Sequence, residues 1–182
     1  MSDSSLFSEM TVLSLEQATT LPFLTQRLAR DGARVIRIEA PGRGDPNRHV
    51  GRNILNEDGM ASYFLPNNCG KQAITLNLAE AEGRSILHQL IDRLHVDVFA
   101  TNNRPSSYQK LGIDYDTLKA IRPDIIWLGI TGFGPDSDEA AYDPVKGDQR
   151  WADQILDAVR PALRCSEGVG MFIVQHDPEC LG

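Results

Sequence analysis

The sequence predicts an α/β domain with a doubly wound, mainly parallel sheet, and two patterns lead to this prediction. Short apolar strands alternate with amphipathic helices along most of the chain, and helices lie between strands as in parallel βαβ units. A chain of 182 residues with 41% hydrophobic and 24% charged residues is sufficient for one substantial core. We therefore expect one main domain.

The first βαβ unit opens the chain. Residues 12–15 form a short apolar strand, and Thr19 or Thr20 is placed to cap the helix that follows. Leucines recur at helical spacing until Gly32 ends this helix, and residues 35–38 form the next strand. The strand, helix, strand order predicts that the two strands are parallel neighbours.

The same alternation continues toward the C-terminus. The later elements are predicted in the order strand 73–78, helix 80–94, strand 96–100, a short helix, and a buried strand 125–130. Asp114 or Asp116 caps the short helix, and Pro123 stops it. Residues 42–68 are rich in Gly, Arg, Asn and Asp and form a long loop, a kind of segment that is often functional.

Charge and cysteine usage exclude several classes of protein. The net charge of −7 argues against a broad nucleic-acid or membrane surface, and no window approaches the ~18 apolar residues of a membrane span. The N-terminus lacks the basic start and apolar run of a signal peptide, so we expect a cytoplasmic protein. Cys69, Cys165 and Cys180 are expected to be reduced thiols. His176 and Cys180 have no companion ligands at metal-site spacing, and we expect no metal.

The Rossmann-like order of strands and helices invites a dinucleotide-binding interpretation. That chemistry requires glycines at the first strand-to-helix turn, where the backbone must approach a pyrophosphate. Residues 15–20 occupy this turn and read Leu-Glu-Gln-Ala-Thr-Thr, without a glycine. A glycine-rich hairpin explains the run Gly42-Arg-Gly-Asp45 equally well. We therefore do not expect NAD binding in its usual mode.

Six ordered sequence blocks are more specific than this alternation. The first is residues 34–48, Arg-Val-Ile-Arg-Ile-Glu-Ala-Pro-Gly-Arg-Gly-Asp-Pro-Asn-Arg. The others are Tyr-Phe-Leu-Pro-Asn-Asn-Cys-Gly-Lys-Gln at 63–72 with the strand 74–78, Glu-Gly-Arg at 82–84, Asn-Arg-Pro at 103–105 with Lys-Leu-Gly at 110–112, Ile-Thr-Gly-Phe-Gly-Pro at 130–135, and Ala-Tyr-Asp-Pro-Val at 141–145. Together they resemble the N-terminal portion of CoA-transferase family III, also called the CaiB/BaiF family.

The resemblance implies that coenzyme A, as an acyl-CoA substrate, binds near the first turn. Gln17 and Ala18 match the positions at which family members contact the thioester region and the acyl carbonyl. An amide at this place can donate a hydrogen bond to a developing oxyanion, so Gln17 is the catalytic candidate. The alternative is a polar residue that merely satisfies its own turn.

The resemblance also implies cationic contacts with the CoA phosphates. Lys71 matches a family lysine near these phosphates, and Lys110 lies where the family often has an Arg of the same purpose. Leu111, which follows it, is a further CoA-binding candidate. Arg43 and Arg48 lie in the glycine-bearing loop, within reach of the nucleotide. Solvated surface side chains are the alternative for each cation. One family contact is missing, because the Arg that follows the second strand in some members is Ala40 here.

The resemblance ends near Val145, so we predict a family domain at 1–145 and a divergent segment at 146–182 with a helix, a possible strand at 168–174 and an irregular tail. The family's nucleophilic Asp, which forms a mixed anhydride and then an aspartyl-CoA thioester, is not identified. The three aspartates of the segment, Asp148, Asp153 and Asp157, lack its sequence context. Family members are longer and form interlocked homodimers, so the predicted sheet is truncated, and a chain this short lacks much of that assembly.

Three functions follow from these observations. The first is a CoA-transferase that moves CoA between an acyl-CoA and a carboxylic acid. The alternative is a non-catalytic CoA-binding fragment or dimer partner without the nucleophile. The third is an α-methylacyl-CoA racemase, but that branch carries a proton-transferring His where this chain has Tyr142.

Overall fold

A computed structural model of the chain describes residues 7–132 and the backbone of residues 171–175. Within these residues, six parallel strands form one sheet in the order β3-β2-β1-β4-β5-β6. The strands are β1 (Thr11–Leu15), β2 (Arg34–Glu39), β3 (Gln72–Thr75), β4 (Val98–Thr101), β5 (Ile126–Thr131) and β6 (Met171–Gln175). The α-helices are α1 (Thr20–Arg30), α2 (Leu65–Asn68), α3 (Ala81–Arg93), α4 (Tyr108–Leu111) and α5 (Tyr115–Ile121), and 3₁₀ helices cover Pro46–His49 and Pro105–Ser107.

Helices cover both faces of the sheet. Successive side chains of a strand point to opposite faces, so Val12 and Leu13 of β1 belong to two different core clusters. The first cluster includes Leu21, Leu24 and Leu28 of α1, and the second includes Leu87 and Ile91 of α3 with Leu118 of α5. This arrangement confirms the predicted α/β fold with its doubly wound parallel sheet.

The strand order reverses beside β1. The chain runs from β1 through β2 to β3 on one side, and then crosses back to place β4 on the other side of β1. In open parallel sheets, ligands bind in the crevice outside the carboxyl ends of the strands at such a reversal. The fold therefore directs attention to the residues that follow β1 and β4.

The structure corrects the end of one predicted strand and decides between two predicted helix caps. β3 ends at Thr75, whereas the alternating polarity predicts a strand as far as residue 78. The Asn77 side chain accepts the Ala79 N–H at 3.2 Å and its carbonyl accepts the Glu80 N–H at 3.1 Å, so a turn replaces the end of the strand. Asp114 rather than Asp116 caps α5, because its carboxylate accepts the N–H of Thr117 at 3.0 Å.

The segment 146–182 contributes β6, which pairs with β5 and overlaps the stretch 168–174 for which a strand is predicted. A boundary at Val145 stays a prediction. Other residues of the sequence predictions lie outside the described part of the chain: 133–135 of the block 130–135, Tyr142, Asp148, Asp153, Asp157, Cys165, His176 and Cys180. No helix in the described part of the chain has both the length and the apolar character needed to span a bilayer.

Candidate functional site

A cavity of about 290 Å³ lies at the carboxyl ends of the strands, beside the reversal of strand order. Its lining residues come from the ends of β1, β2, β3 and β4 and from α4, and they are Leu15, Glu16, Gln17, Ile38, Glu39, Ala40, Gly44, Asp45, Leu76, Asn77, Leu78, Ala79, Asn103 and Leu111. We call it the edge cavity. A second cavity of about 640 Å³, the loop cavity, is lined by Arg43, Arg48 and His49 and shares Glu39, Ala40 and Gly44 with the first. The two cavities are therefore neighbours.

A third, open depression of about 550 Å³ lies on α3. Two of its polar residues are committed to backbone carbonyls: His88 Nε2 lies 2.8 Å from the Gly112 oxygen, and Arg84 donates to the oxygens of Leu78 and Ala79. These contacts join α3 to the turn that precedes it and to the residue that follows α4. We therefore place the candidate site at the sheet edge, where the strand ends and the two cavities coincide.

The turn after β1 brings Gln17 to the edge cavity. Asn102, which directly follows β4, accepts the Gln17 N–H at 3.1 Å and donates to the Gln17 carbonyl at 2.8 Å. Ala18 has a φ of +63°, a left-handed conformation that is uncommon for residues other than glycine. Its N–H donates to Asp45 Oδ1 at 3.2 Å. The exposed Gln17 side chain therefore projects from a turn whose backbone is held on both sides.

Arg37 lies beneath this turn and is 1% exposed. Its Nη2 donates to Asp45 Oδ2 at 2.8 Å, and its Nη1 donates to the Asn68 side chain. Its Nε lies 3.2 Å from Glu39 Oε1 without the alignment of a hydrogen bond. The guanidinium carbon is also 5.1 Å from the centre of the Phe64 ring. Arg37 thus joins β2 to the loop and to α2.

Glu39, at the end of β2, organises the loop that follows it. Arg48 binds its carboxylate with two hydrogen bonds of 2.8 and 2.6 Å, and the Asp45 N–H donates to it at 3.0 Å. Gly44 has a φ of +60°, and a Cβ there would lie 3.0 Å from Glu39 Oε2, so the turn requires glycine. Burial raises the pKa of Glu39, but the Arg48 hydrogen bonds and the Arg37 charge outweigh it, and the pKa lies below 4.5.

Lys71 and Glu16 form a second buried pair. Lys71 Nζ donates to Glu16 Oε1 at 2.6 Å, to the Pro22 carbonyl at 2.8 Å and to the Asn68 side chain at 3.2 Å. The other oxygen of Glu16 accepts the Thr25 hydroxyl at 2.6 Å. Burial lowers the pKa of Lys71 to about 8, although the Glu16 charge opposes that shift. All three donors of this ammonium are thus taken by protein acceptors.

The buried charges under the two cavities balance. Three carboxylates and three cations are joined by these ion pairs: Glu16, Glu39 and Asp45 with Arg37, Arg48 and Lys71. Each carboxylate therefore has a cationic partner, and the floor of the site carries no excess charge. A ligand phosphate would depend on cations nearer the surface, and Arg43 and Lys110 are both exposed.

The structure brings most of the predicted site residues to one edge of the sheet. Gln17 and Leu111 line the edge cavity, and Arg43 and Arg48 line the loop cavity. Ala18 lies in the Gln17 turn, and Lys110 precedes Leu111 on α4. Lys71 differs, because its side chain is 1% exposed and lies in the interior. The contacts of these seven residues with CoA stay predictions.

Sequence reasoning missed two groups of residues. Leu76, Asn77, Leu78 and Ala79 line the edge cavity because β3 ends early, which the alternating polarity does not indicate. Arg37 and Asp45 were not assigned a role, although a charged residue inside the apolar strand 35–38 is itself a signal. A buried charge must be paired, so the acids of the following loop were the partners to look for.

The sequence matches CoA-transferase family III over residues 7–149. It is 37% identical over 143 residues to an acyl-CoA transferase of Fusarium pseudograminearum, covering 74% of this chain and 31% of that protein. It is 32% identical over 170 residues to the succinyl-CoA:glutarate CoA-transferase of Mus musculus, covering 88% of this chain and 38% of that protein. The chain spans about a third of the length of these curated relatives.

Solved structures agree with the sequence matches. The protein Rv3272 of Mycobacterium tuberculosis superposes with a TM-score of 0.78 at 27% identity, covering 94% of this chain and 54% of that one. A CaiB/BaiF family protein from Brucella suis superposes with a TM-score of 0.70 at 34% identity, covering 79% and 39% of the two chains. The described sheet is therefore shared with proteins about twice as long or longer.

Proposed function

The chain belongs to CoA-transferase family III, and we propose from this that its sheet-edge site binds an acyl-CoA whose CoA is passed to a carboxylic acid. The observation that carries the proposal is the edge cavity itself. It lies at the reversal of strand order and is lined by Gln17 and Leu111, two residues to which the family resemblance gives CoA contacts.

The residues of the two cavities fit the chemistry of CoA. The nucleotide of CoA carries phosphates, which basic side chains can bind. Arg43 and His49 are exposed and line the loop cavity, and Lys110 is exposed on α4 beside Leu111. Leu76, Leu78 and Ile38 offer apolar surface in the edge cavity. Asp58 also lines the loop cavity, and its negative charge would repel a phosphate. We therefore assign phosphate binding to Arg43 and Lys110 and not to all residues of this cavity.

Gln17 is the residue of this domain to which we assign a catalytic role, the stabilisation of an oxyanion. Its side-chain amide can donate a hydrogen bond to the thioester carbonyl as negative charge develops there. Its backbone is fixed by Asn102 and its neighbour by Asp45, so the amide is presented from a preorganised turn. The nucleophilic Asp stays unassigned, because the aspartates at 148, 153 and 157 lie outside the described residues.

The acyl group is proposed only as a class. The matched relatives are named for different substrate pairs, including succinyl-CoA with glutarate, cinnamoyl-CoA with phenyllactate and acetyl-CoA with oxalate. All share CoA and a carboxylic acid. We therefore assign CoA recognition to the described domain and leave the acid to other parts of the site.

The test is CoA exchange by the purified 182-residue chain. Succinyl-CoA or acetyl-CoA is incubated with a panel of free dicarboxylic and aryl acids, and hydroxylamine is added to trap an acyl-enzyme. The proposal predicts a new acyl-CoA and a hydroxamate that depends on the protein. Binding of CoA without either product would support a non-catalytic CoA-binding role, and the absence of CoA binding would overturn both.

A further inference from the structure

We propose that Asp45 is a positioning residue, which holds the Gln17–Ala18 turn from one side while Asn102 holds it from the other. This proposal rests on the proposed function, since it explains how the Gln17 amide is aimed at the edge cavity. Asp45 does not touch a reacting atom in this account. It acts through the backbone of Ala18.

The Asp45 carboxylate has no exposed surface and no spare acceptor toward solvent. Its Oδ1 accepts the N–H groups of Ala18 at 3.2 Å and Asn47 at 2.8 Å, and its Oδ2 accepts from Arg37 at 2.8 Å. Both oxygens thus face donors, which only an ionised carboxylate can satisfy. An asparagine has only one acceptor oxygen, so in either orientation its NH₂ group would face either the Arg37 guanidinium or the backbone N–H groups, which are donors too.

Ala18 requires such support because its φ of +63° is disfavoured for a residue with a Cβ. A non-glycine residue stays in this conformation only when its surroundings impose it, and such residues cluster at functional sites. The Asp45 contact to the Ala18 N–H is the imposed restraint. A second contact runs from Asn47 Nδ2 to the Thr19 hydroxyl at 3.2 Å, so the 45–47 segment holds two successive residues of the turn.

Asn102 restrains the other side of the turn. It pairs with both the N–H and the carbonyl of Gln17, at 3.1 and 2.8 Å, in the manner of a neighbouring strand. β4 ends at Thr101, so this side-chain pair extends the β1–β4 contact by one position beyond the ladder. The direction of the Gln17 side chain is therefore determined by a loop carboxylate and by a residue after β4.

The experiment compares Asp45→Asn with Asp124→Asn, which removes the same charge from an exposed residue before β5. Amide hydrogen exchange of Ala18 is followed by NMR in the free protein, and CoA affinity is measured by calorimetry. We expect Asp45→Asn to accelerate exchange at Ala18 and to weaken CoA binding about tenfold, with a folded spectrum and no such change in the control. Unchanged exchange at Ala18 would overturn the proposal.

A third variant separates positioning from a general structural role. Glycine adopts positive φ without strain, so Asp45→Asn should weaken CoA binding much less in an Ala18→Gly background. An equal loss in both backgrounds would contradict action through Ala18. If Asp45→Asn does not fold, Asp45→Glu replaces it, because it keeps the charge beside Arg37 and displaces the carboxylate oxygens, and unchanged amide exchange at Ala18 would overturn the proposal. A wild-type chain that fails to bind CoA contradicts the proposed function, while the amide exchange still decides the positioning.

Discussion

Lys71 Nζ lies 2.6 Å from Glu16 Oε1, and the two side chains are 1% and 0% exposed. The pair connects the turn after β1 with the residue that precedes β3, directly below the edge cavity. The family resemblance places Lys71 near the CoA phosphates. That contact stays a prediction, and in the described structure the lysine supports the turn that presents Gln17.

Lys71→Met is expected to lower the free energy of unfolding by about 3 kcal/mol, because it leaves the buried Glu16 carboxylate without its cation. The double variant Lys71→Met/Glu16→Gln should be less destabilised than the single variant. Urea denaturation of both proteins tests this. An additive or larger loss in the double variant would contradict the pairing.

Lys71→Ala is expected to weaken CoA binding through the altered turn. A direct phosphate contact would make the loss smaller as salt concentration rises, whereas a structural loss should be nearly independent of salt. Calorimetry at two ionic strengths distinguishes the two cases. Unchanged CoA affinity in this variant would remove Lys71 from the account of the site.

The stability of the protein should fall in acid partly through Glu39. Its folded pKa lies below 4.5, so the unfolded chain binds the proton first as the pH falls. This contribution is fully present above pH 4.5 and is lost as the pH falls through the folded pKa. Urea denaturation at several values between roughly pH 3 and 7 measures the free energy of unfolding. This free energy should fall less steeply toward acid in Glu39→Gln than in wild type. Glu57→Gln, an exposed loop carboxyl, is the control, and equal slopes for Glu39→Gln and wild type would refute the assignment.

Gln17→Ala should reduce acyl-CoA turnover by about 10²-fold, the usual effect of removing one donor from an oxyanion site. Its affinity for free CoA, which has no acyl carbonyl, should change far less. Steady-state kinetics and calorimetry measure the two quantities. Gln89→Ala, on the exposed surface of α3, is the matched control. Equal effects of Gln17→Ala on turnover and on CoA affinity would count against an oxyanion role.

Ala40→Arg should strengthen CoA binding, because it supplies a cation at a position shared by both cavities. The gain is expected to be about threefold to tenfold and to shrink at high salt, as for a charge near a phosphate. Ala120→Arg on α5 adds the same charge away from the cavities. A similar gain in both variants would indicate a general charge effect.

The sequence was sufficient to predict the sheet because its strands are short apolar runs separated by amphipathic helices. The family resemblance identified Gln17 and Leu111, and both line the edge cavity. The interior location of Lys71 could not be predicted. Its direction depends on Glu16 and Pro22, which lie 55 and 49 residues earlier in the sequence and approach it only in the folded protein.

The role of Asp45 was hidden for a related reason. The sequence places it in a glycine-bearing loop, where an acid ordinarily begins a turn, and it does so here by accepting the Asn47 N–H. Its contact with Ala18 joins residues that are 27 positions apart in sequence, and local patterns do not report it. The left-handed conformation of Ala18 could not be predicted either, because alanine rarely adopts it.

The central claim is that CoA binds in the edge cavity, and calorimetric titration of CoA into cavity variants tests it most directly. Ala79→Trp fills the cavity from its β3 side, and Ala120→Trp places the same ring on the exposed surface of α5. We predict that wild type and Ala120→Trp bind one CoA per chain, and that Ala79→Trp loses binding while staying folded. Undiminished binding by Ala79→Trp, or none by wild type, would contradict the claim.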